Sequence, residues 1–196
     1  NRNFYRAQAK ELADELGRLK GSVMKAGQML SLYGQYFLPE EAVEVLATLQ
    51  DNTPAVSWSF VEPQLIDALG EKTIAKLDIQ RKPIAAASLG QAHLATIKAT
   101  GEQVVVKIQY PGVRKSISSD VNNVASLLRL SGLLPKSVDI APLLREAKRQ
   151  LREEADYQAE AAHLMRFHQL LVGTPEFVVP VLHDDLTTKN VLAMSY

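Results

Sequence analysis

Apolar residues recur at helical spacing over residues 4–35, where Leu12, Leu16, Leu19, Val23, Met29 and Leu30 form one side. Gly17, Gly21 and Gly34 interrupt or end turns of that pattern, which predicts two helices rather than one. Pro39 opens a further predicted helix through about Gln50, proline being tolerated in a first turn. Asn52-Thr53-Pro54 marks a turn. Ser57 or Ser59 is placed to cap a helix running to Leu69, with Gly70 where a C-cap belongs. A short helix is predicted around Thr73–Leu77.

From about Asp78 to Tyr110 the period changes to two. The segment reads as a strand, a tight loop of small residues, a second strand, a turn at Thr100-Gly101-Glu102 and a third strand, Q-V-V-V-K-I-Q. In that third strand Val104, Val106 and Ile108 face one side, while Val105, Lys107 and Gln109 face the other. Pro111-Gly112 ends the block. Val113 to Leu134 is predicted helical, Pro135-Lys136-Ser137 forms a link, and Ile140–Leu171 is a long helix or a broken pair. Gly173-Thr174-Pro175 ends it, and Phe177–His183 and Asn190–Tyr196 read as two more strands. The prediction is an α+β fold with five antiparallel strands and a long helix inserted among them.

Composition narrows the function classes. Of 196 residues, 46% are hydrophobic and 22% charged, enough for a soluble domain with its own core. Lys+Arg and Asp+Glu balance at 22 each, so no global charge recruits nucleic acid. The absence of cysteine excludes a disulfide framework, a thiolate zinc site and a cysteine nucleophile. No apolar run is long enough to span a bilayer. The chain opens inside a helical pattern and stops on an apolar strand, so both ends read as cut.

Candidate chemistry lies in the strand block. If Gly90 is the last glycine of a G-x-G-x-x-G loop, Ala85 and Ala87 occupy the two earlier glycine positions. Ala92 then stands where protein kinases place valine, and Lys107 follows at a kinase-like distance. Alanine lacks the freedom of glycine to take positive φ, so the loop is stiffer, yet its N–H groups can still meet phosphate oxygens. The alternative is a tight hairpin packed with small residues. A strand lysine in this setting pairs with nucleotide phosphates and needs a carboxylate to hold it; alone it would be a solvated face residue.

Carboxylates crowd Glu153, Glu154, Asp156 and Glu160. On a continuous helix Asp156 and Glu160 share a face, and Glu154 points away by roughly 160°. The alternative is a solvated, charge-laced helix. Lys25 and Gln28 share a helix face beside Ala26-Gly27, where close backbone packing is possible. The histidines have no metal-ligand spacing, so no metal site is expected, and Ser88 has no sequence-adjacent base.

Four motifs occur together: Lys25-x-Gly27-Gln28; Ala85 through His93; Val106-Lys107-Ile108-Gln109-Tyr110-Pro111-Gly112-Val113; and Glu154-x-Asp156-Tyr157-x-x-Glu160-Ala161. In this order they resemble the UbiB family of atypical protein-kinase-like proteins, which support ubiquinone biosynthesis, and the resemblance runs from about Leu19 to Tyr196. It implies a kinase-like N-lobe, a five-stranded antiparallel sheet with helix C, over 78–196, with a helical insertion at about 113–140. An N-terminal helical extension carrying K-x-G-Q would fill 1–77, and the C-lobe would be absent from this chain.

By the same resemblance, Lys107 and Glu160 form the catalytic ion pair, and Ala85, Ala86, Ala87, Ser88, Gly90, Ala92 and Met194 border the nucleotide. Lys25 and Gln28, with Glu154 and Asp156, would be regulatory. The implied cofactor is ATP or ADP with Mg²⁺, whose ligands belong to the missing C-lobe. The implied function is an atypical kinase or ATPase supporting ubiquinone biosynthesis, with nucleotide, ubiquinone-pathway proteins and membrane lipid as partners and no nucleic acid. The implied location is the cytoplasm or mitochondrial matrix, peripheral to a membrane. The alternative is a non-catalytic kinase-like module that binds lipid or a protein partner.

Overall fold

The computed structural model describes residues 26–27, 30, 38–47, 55–86, 89–132 and 138–196. Most of the helical pattern over 4–35, and the Pro135–Ser137 link, lie outside the described residues. The chain divides into two compact units, one of Asn1–Thr53 with Gly112–Arg152, the other of Pro54–Pro111 with Glu153–Tyr196.

In the first unit, α1 spans Glu40–Ala47, α4 Val113–Leu130, and α5 begins at Ala141 and runs to Glu154. Ile117, Val121, Val124 and Leu128 of α4 are buried at helical spacing, as are Leu143, Ala147 and Leu151 of α5. Lys148 donates to the Asn122 side-chain oxygen at 2.8 Å and Arg152 to the Ser118 hydroxyl at 2.7 Å, joining the two helices across their polar edges.

The second unit holds α2 (Trp58–Leu69), α3 (Glu71–Ile74), β1 (Leu77–Ile79), β2 (Ala85–Ala86), β3 (Gly90–Ile97), β4 (Gln103–Gln109), α6 (Tyr157–Leu171) and β5 (Val191–Ser195). Gly70, at φ 82°, ends α2 as the sequence predicts. Ser57 stands at its N-cap position, but the Ser57 hydroxyl makes no capping bond and instead meets the Ser59 hydroxyl at 3.0 Å. All strand pairs are antiparallel, in the order β1-β3-β4-β5, with β2 pairing the other half of β3. Strands β1 and β2 are one edge interrupted by a bulge. Between Ile79↔Ala95 and Ala85↔Ala92 the edge spends five residues against two on β3.

The alternation read in β4 holds. Val104, Val106 and Ile108 pack with Ala95, Val191, Ala193 and with Val61 and Leu65 of α2 into one core. Lys107 lies on the opposite face. A smaller cluster there, Tyr157, Ala161 and Leu192, flanked by Leu182 and Met194, joins α6 to β5.

The structure corrects the strand list. Phe177–His183 is not a strand: it contributes one isolated bridge, Leu182↔Met194. Pro180 has no N–H for a ladder, and the Val181 N–H is satisfied by the Ser195 hydroxyl instead. The fifth strand is Leu77–Ile79, whose first residue the helical pattern had claimed; the short helix ends at Ile74. Of the predicted alanine loop, Ala85 and Ala86 are paired strand residues. Among the described residues no helix is long and apolar enough to cross a membrane.

Candidate functional site

The α5–α6 break determines the site. Of the two alternatives for Ile140–Leu171, the structure takes the broken pair, with Ala155 and Asp156 between the helices. Asp156 has left helical geometry (φ −100°, ψ 85°), and its carboxylate accepts the Ala159 N–H at 3.2 Å, capping α6. This corrects the argument from a continuous helix. Asp156 is a cap rather than a facial neighbour of Glu160, and Glu154 closes a different helix. Glu160 falls in the first turn of α6, where the helix dipole favours a carboxylate.

Lys107 Nζ donates to both Glu160 oxygens, at 2.9 Å to Oε1 and 3.0 Å to Oε2, across 53 residues of sequence. The two side chains are 34% and 38% exposed. An ion pair that open contributes about 0.2–1 kcal/mol to stability. The pair therefore does little for the fold, and it leaves a positioned cation accessible to an anionic ligand. The ammonium also stands 4.7 Å from the centroid of the Tyr157 ring, within cation–π range.

Around Lys107 the register places small and apolar side chains. Ala92 pairs with it on β3 and Leu192 on β5, and Met194, opposite Val105, lies two residues along the same face. Gly90 is buried at the start of β3, where a Cβ would overlap the Ile108 carbonyl oxygen and stand 3.0 Å from the Tyr157 hydroxyl. Close packing thus demands glycine here, whatever the adjoining loop does. The structure brings Lys107, Glu160, Gly90, Ala92 and Met194 to one region of the second unit, with β2 alongside. Ala87, Ser88, Lys25 and Gln28 lie outside the described residues, and Glu154 is an exposed helix end.

Sequence reasoning missed the polar groups that brace the sheet. Gln109 Nε2 donates to the Ala155 carbonyl at 2.9 Å. On the α2 face, Gln91 Oε1 accepts the Val56 N–H at 3.0 Å and the Tyr110 hydroxyl at 3.1 Å, which fixes the orientation of its amide. Its Nε2 then donates to His93 Nε2 at 2.9 Å, while His93 Nδ1 donates to the Gln80 carbonyl at 2.7 Å. That network specifies a neutral imidazole, and burial lowers the His93 pKa further than the Gln80 bond raises it. Burial likewise raises the Tyr110 pKa. The signal available in sequence was polar residues at inward-facing positions of a strand, Gln91 and His93 alternating with Ala92 and Leu94.

An open cavity of about 560 Å³ has a lining that includes neither Lys107 nor Glu160; it lies against His168, Leu171, Thr174 and Phe177. Among the described residues, no cluster of three His, Asp or Glu side chains is arranged to hold a metal.

A strand lysine ion-paired to a helix carboxylate beside an antiparallel sheet is the arrangement of a protein-kinase nucleotide lobe. The profile of the ABC1 atypical kinase-like domain matches residues 48–196. The chain belongs to that family of atypical kinases, which takes in the UbiB and COQ8 proteins. It is 36% identical over 185 residues to "Atypical kinase COQ8, mitochondrial" of Saccharomyces cerevisiae, covering 94% of this chain and 37% of that protein. "Probable protein kinase UbiB" of Vibrio parahaemolyticus is 32% identical over 175 residues, 86% of this chain and 32% of that one.

Among solved structures, the complex of Rv3197 with erythromycin from Mycobacterium tuberculosis aligns with a TM-score of 0.57 at 30% identity. That alignment covers 96% of this chain and 48% of the other. The chain spans about a third of the length of the curated relatives it matches.

Proposed function

We propose that the second unit is the nucleotide-binding lobe of an atypical kinase or ATPase supporting ubiquinone biosynthesis. The observation that carries this reading is the Lys107–Glu160 pair, a half-buried, doubly hydrogen-bonded cation on the inner face of a kinase-type sheet. In this account Lys107 binds the α/β phosphates of ATP or ADP, and Glu160 holds its ammonium in place. Ala92 leaves room beneath the sheet, and Met194 borders the base. Backbone groups from Ala85 to Gly90, through Ala87 and Ser88, approach the phosphate chain. Magnesium, when bound with the nucleotide, would offset phosphate charge; its ligands come from outside the described residues.

The remaining assignments follow the resemblance. Lys25 and Gln28 act with Glu154 and Asp156 as a regulatory element, 1–77 forms the extension, whose last part from Pro54 folds within the second unit, and 113–140 is an insertion in a lobe over 78–196. The setting is the cytoplasm or the mitochondrial matrix, peripheral to a membrane, with ubiquinone-pathway proteins and lipid as partners; relatives named as mitochondrial support the matrix. A second reading, a non-catalytic module binding lipid or protein, draws on the exposed Phe167, Leu170, Val172, Phe177 and Val178.

Thermal unfolding of the full-length protein with Mg-ATP or Mg-ADP separates the two. A nucleotide at a hundred times its Kd adds about 2.7 kcal/mol of stability. A rise in Tm with either nucleotide supports the first reading; no rise with either favours the second.

A further inference from the structure

Tyr157 has no role in the motif reading, yet it lies against Lys107 and Gly90 and packs in the cluster that Met194 flanks. It is 1% exposed, and its hydroxyl is buried without a hydrogen-bond partner. Its ring stands under the Lys107 ammonium, and its hydroxyl lies 3.0 Å from where a Cβ on Gly90 would stand. It precedes Glu160 by three residues on α6, so one helical turn presents a π face and a carboxylate to the same cation.

Building on the nucleotide reading above, we propose that Tyr157 is a positioning residue for Lys107, holding the ammonium through its ring face rather than its hydroxyl. A lysine side chain has four rotatable bonds and much rotamer freedom to lose on binding. Two of the three N–H directions of Lys107 go to Glu160, and the ring closes a further side of the ammonium. The approach that remains is the one open to solvent, where a phosphate would arrive. The hydroxyl serves neither contact. A buried hydroxyl with no partner is a cost to the fold, and burial, followed by the nearby Glu160, raises its pKa. The function therefore lies with the aromatic face.

The test uses the full-length protein and three variants. Tyr157→Phe, the conservative change, keeps the face and removes only the unpartnered hydroxyl; its Mg-ADP affinity stays within about twofold of wild type. Tyr157→Met removes the face at similar volume and weakens Mg-ADP about fivefold, in the range of a partly exposed cation–π contact. Adenosine, which has no phosphate for Lys107 to meet, binds both variants alike.

A second readout needs no nucleotide. After reductive ¹³C-methylation, the Lys107 methyl signal is shifted upfield by the ring in wild type and in Tyr157→Phe, and returns to the ordinary lysine position in Tyr157→Met. Equal losses of Mg-ADP affinity in Phe and Met variants, or an unshifted Lys107 signal in wild type, overturn the proposal. Mg-ADP binding that ignores Lys107→Ala instead overturns the nucleotide reading, and the ring-current signal still decides the Tyr157 contact.

Discussion

The side-chain amide of Gln109 donates to the Ala155 carbonyl, tying the strand that carries Lys107 to the break before α6. Both groups are buried. The carbonyl belongs to a helix end, where intrahelical donors have run out. Gln109 therefore fixes where α6 begins, and with it where Glu160 stands.

Gln109→Leu leaves that carbonyl buried and unpaired, at a cost of about 1–3 kcal/mol. A lower urea midpoint with an unchanged slope is the expected outcome. An unchanged midpoint would remove the brace from this account.

Gly90→Ala adds a methyl against the Ile108 carbonyl and the Tyr157 hydroxyl. Backbone cannot yield as a flexible side chain does, so the expected loss is about 1–3 kcal/mol, seen as a reduced Tm. A variant that melts like wild type would show that the strands separate more easily here than the register indicates.

The His93 network makes stability depend on pH. Burial holds the imidazole below its ordinary value of 6.5, so the folded state takes up the proton less readily than the unfolded one. The stabilising contribution is complete above pH 6.5 and is lost as pH falls through the lower folded value. Urea midpoints measured from pH 8 to pH 5 should fall on the acid side, and His93→Leu should flatten that part of the profile. A wild-type profile flat down to pH 5 would contradict the neutral assignment.

Breaking the ion pair should separate function from stability. With both side chains more than a third exposed, Glu160→Gln changes stability by less than about 1 kcal/mol. The same change frees the Lys107 ammonium and should weaken Mg-ADP several-fold. A large loss of Tm without any loss of nucleotide affinity would recast the pair as structural.

Much of this was legible in the sequence because period-two patterns survive in buried strands. Val104, Val106 and Ile108 declared the core face of β4, and that placed Lys107 opposite. Glu160 was singled out among its neighbouring carboxylates only by the family resemblance, since an ion pair across 53 residues leaves no local signal. The strand expected at Phe177–His183 failed because apolar alternation cannot weigh a proline against a sheet edge. The break at Ala155–Asp156 was left open because aspartate is read equally well as a cap or as a solvated helix residue. The bracing role of Gln91, His93 and Gln109 was hidden because each bonds to backbone or side-chain groups distant in sequence.

The most direct test of the central claim is calorimetric titration of the full-length protein with Mg-ADP, in wild type and in Lys107→Ala. The account predicts saturable binding in wild type and an affinity at least tenfold weaker in the variant, about 1.4 kcal/mol or more. Equal affinities in the two proteins would contradict it, because the nucleotide would then be held somewhere other than at the Lys107–Glu160 pair.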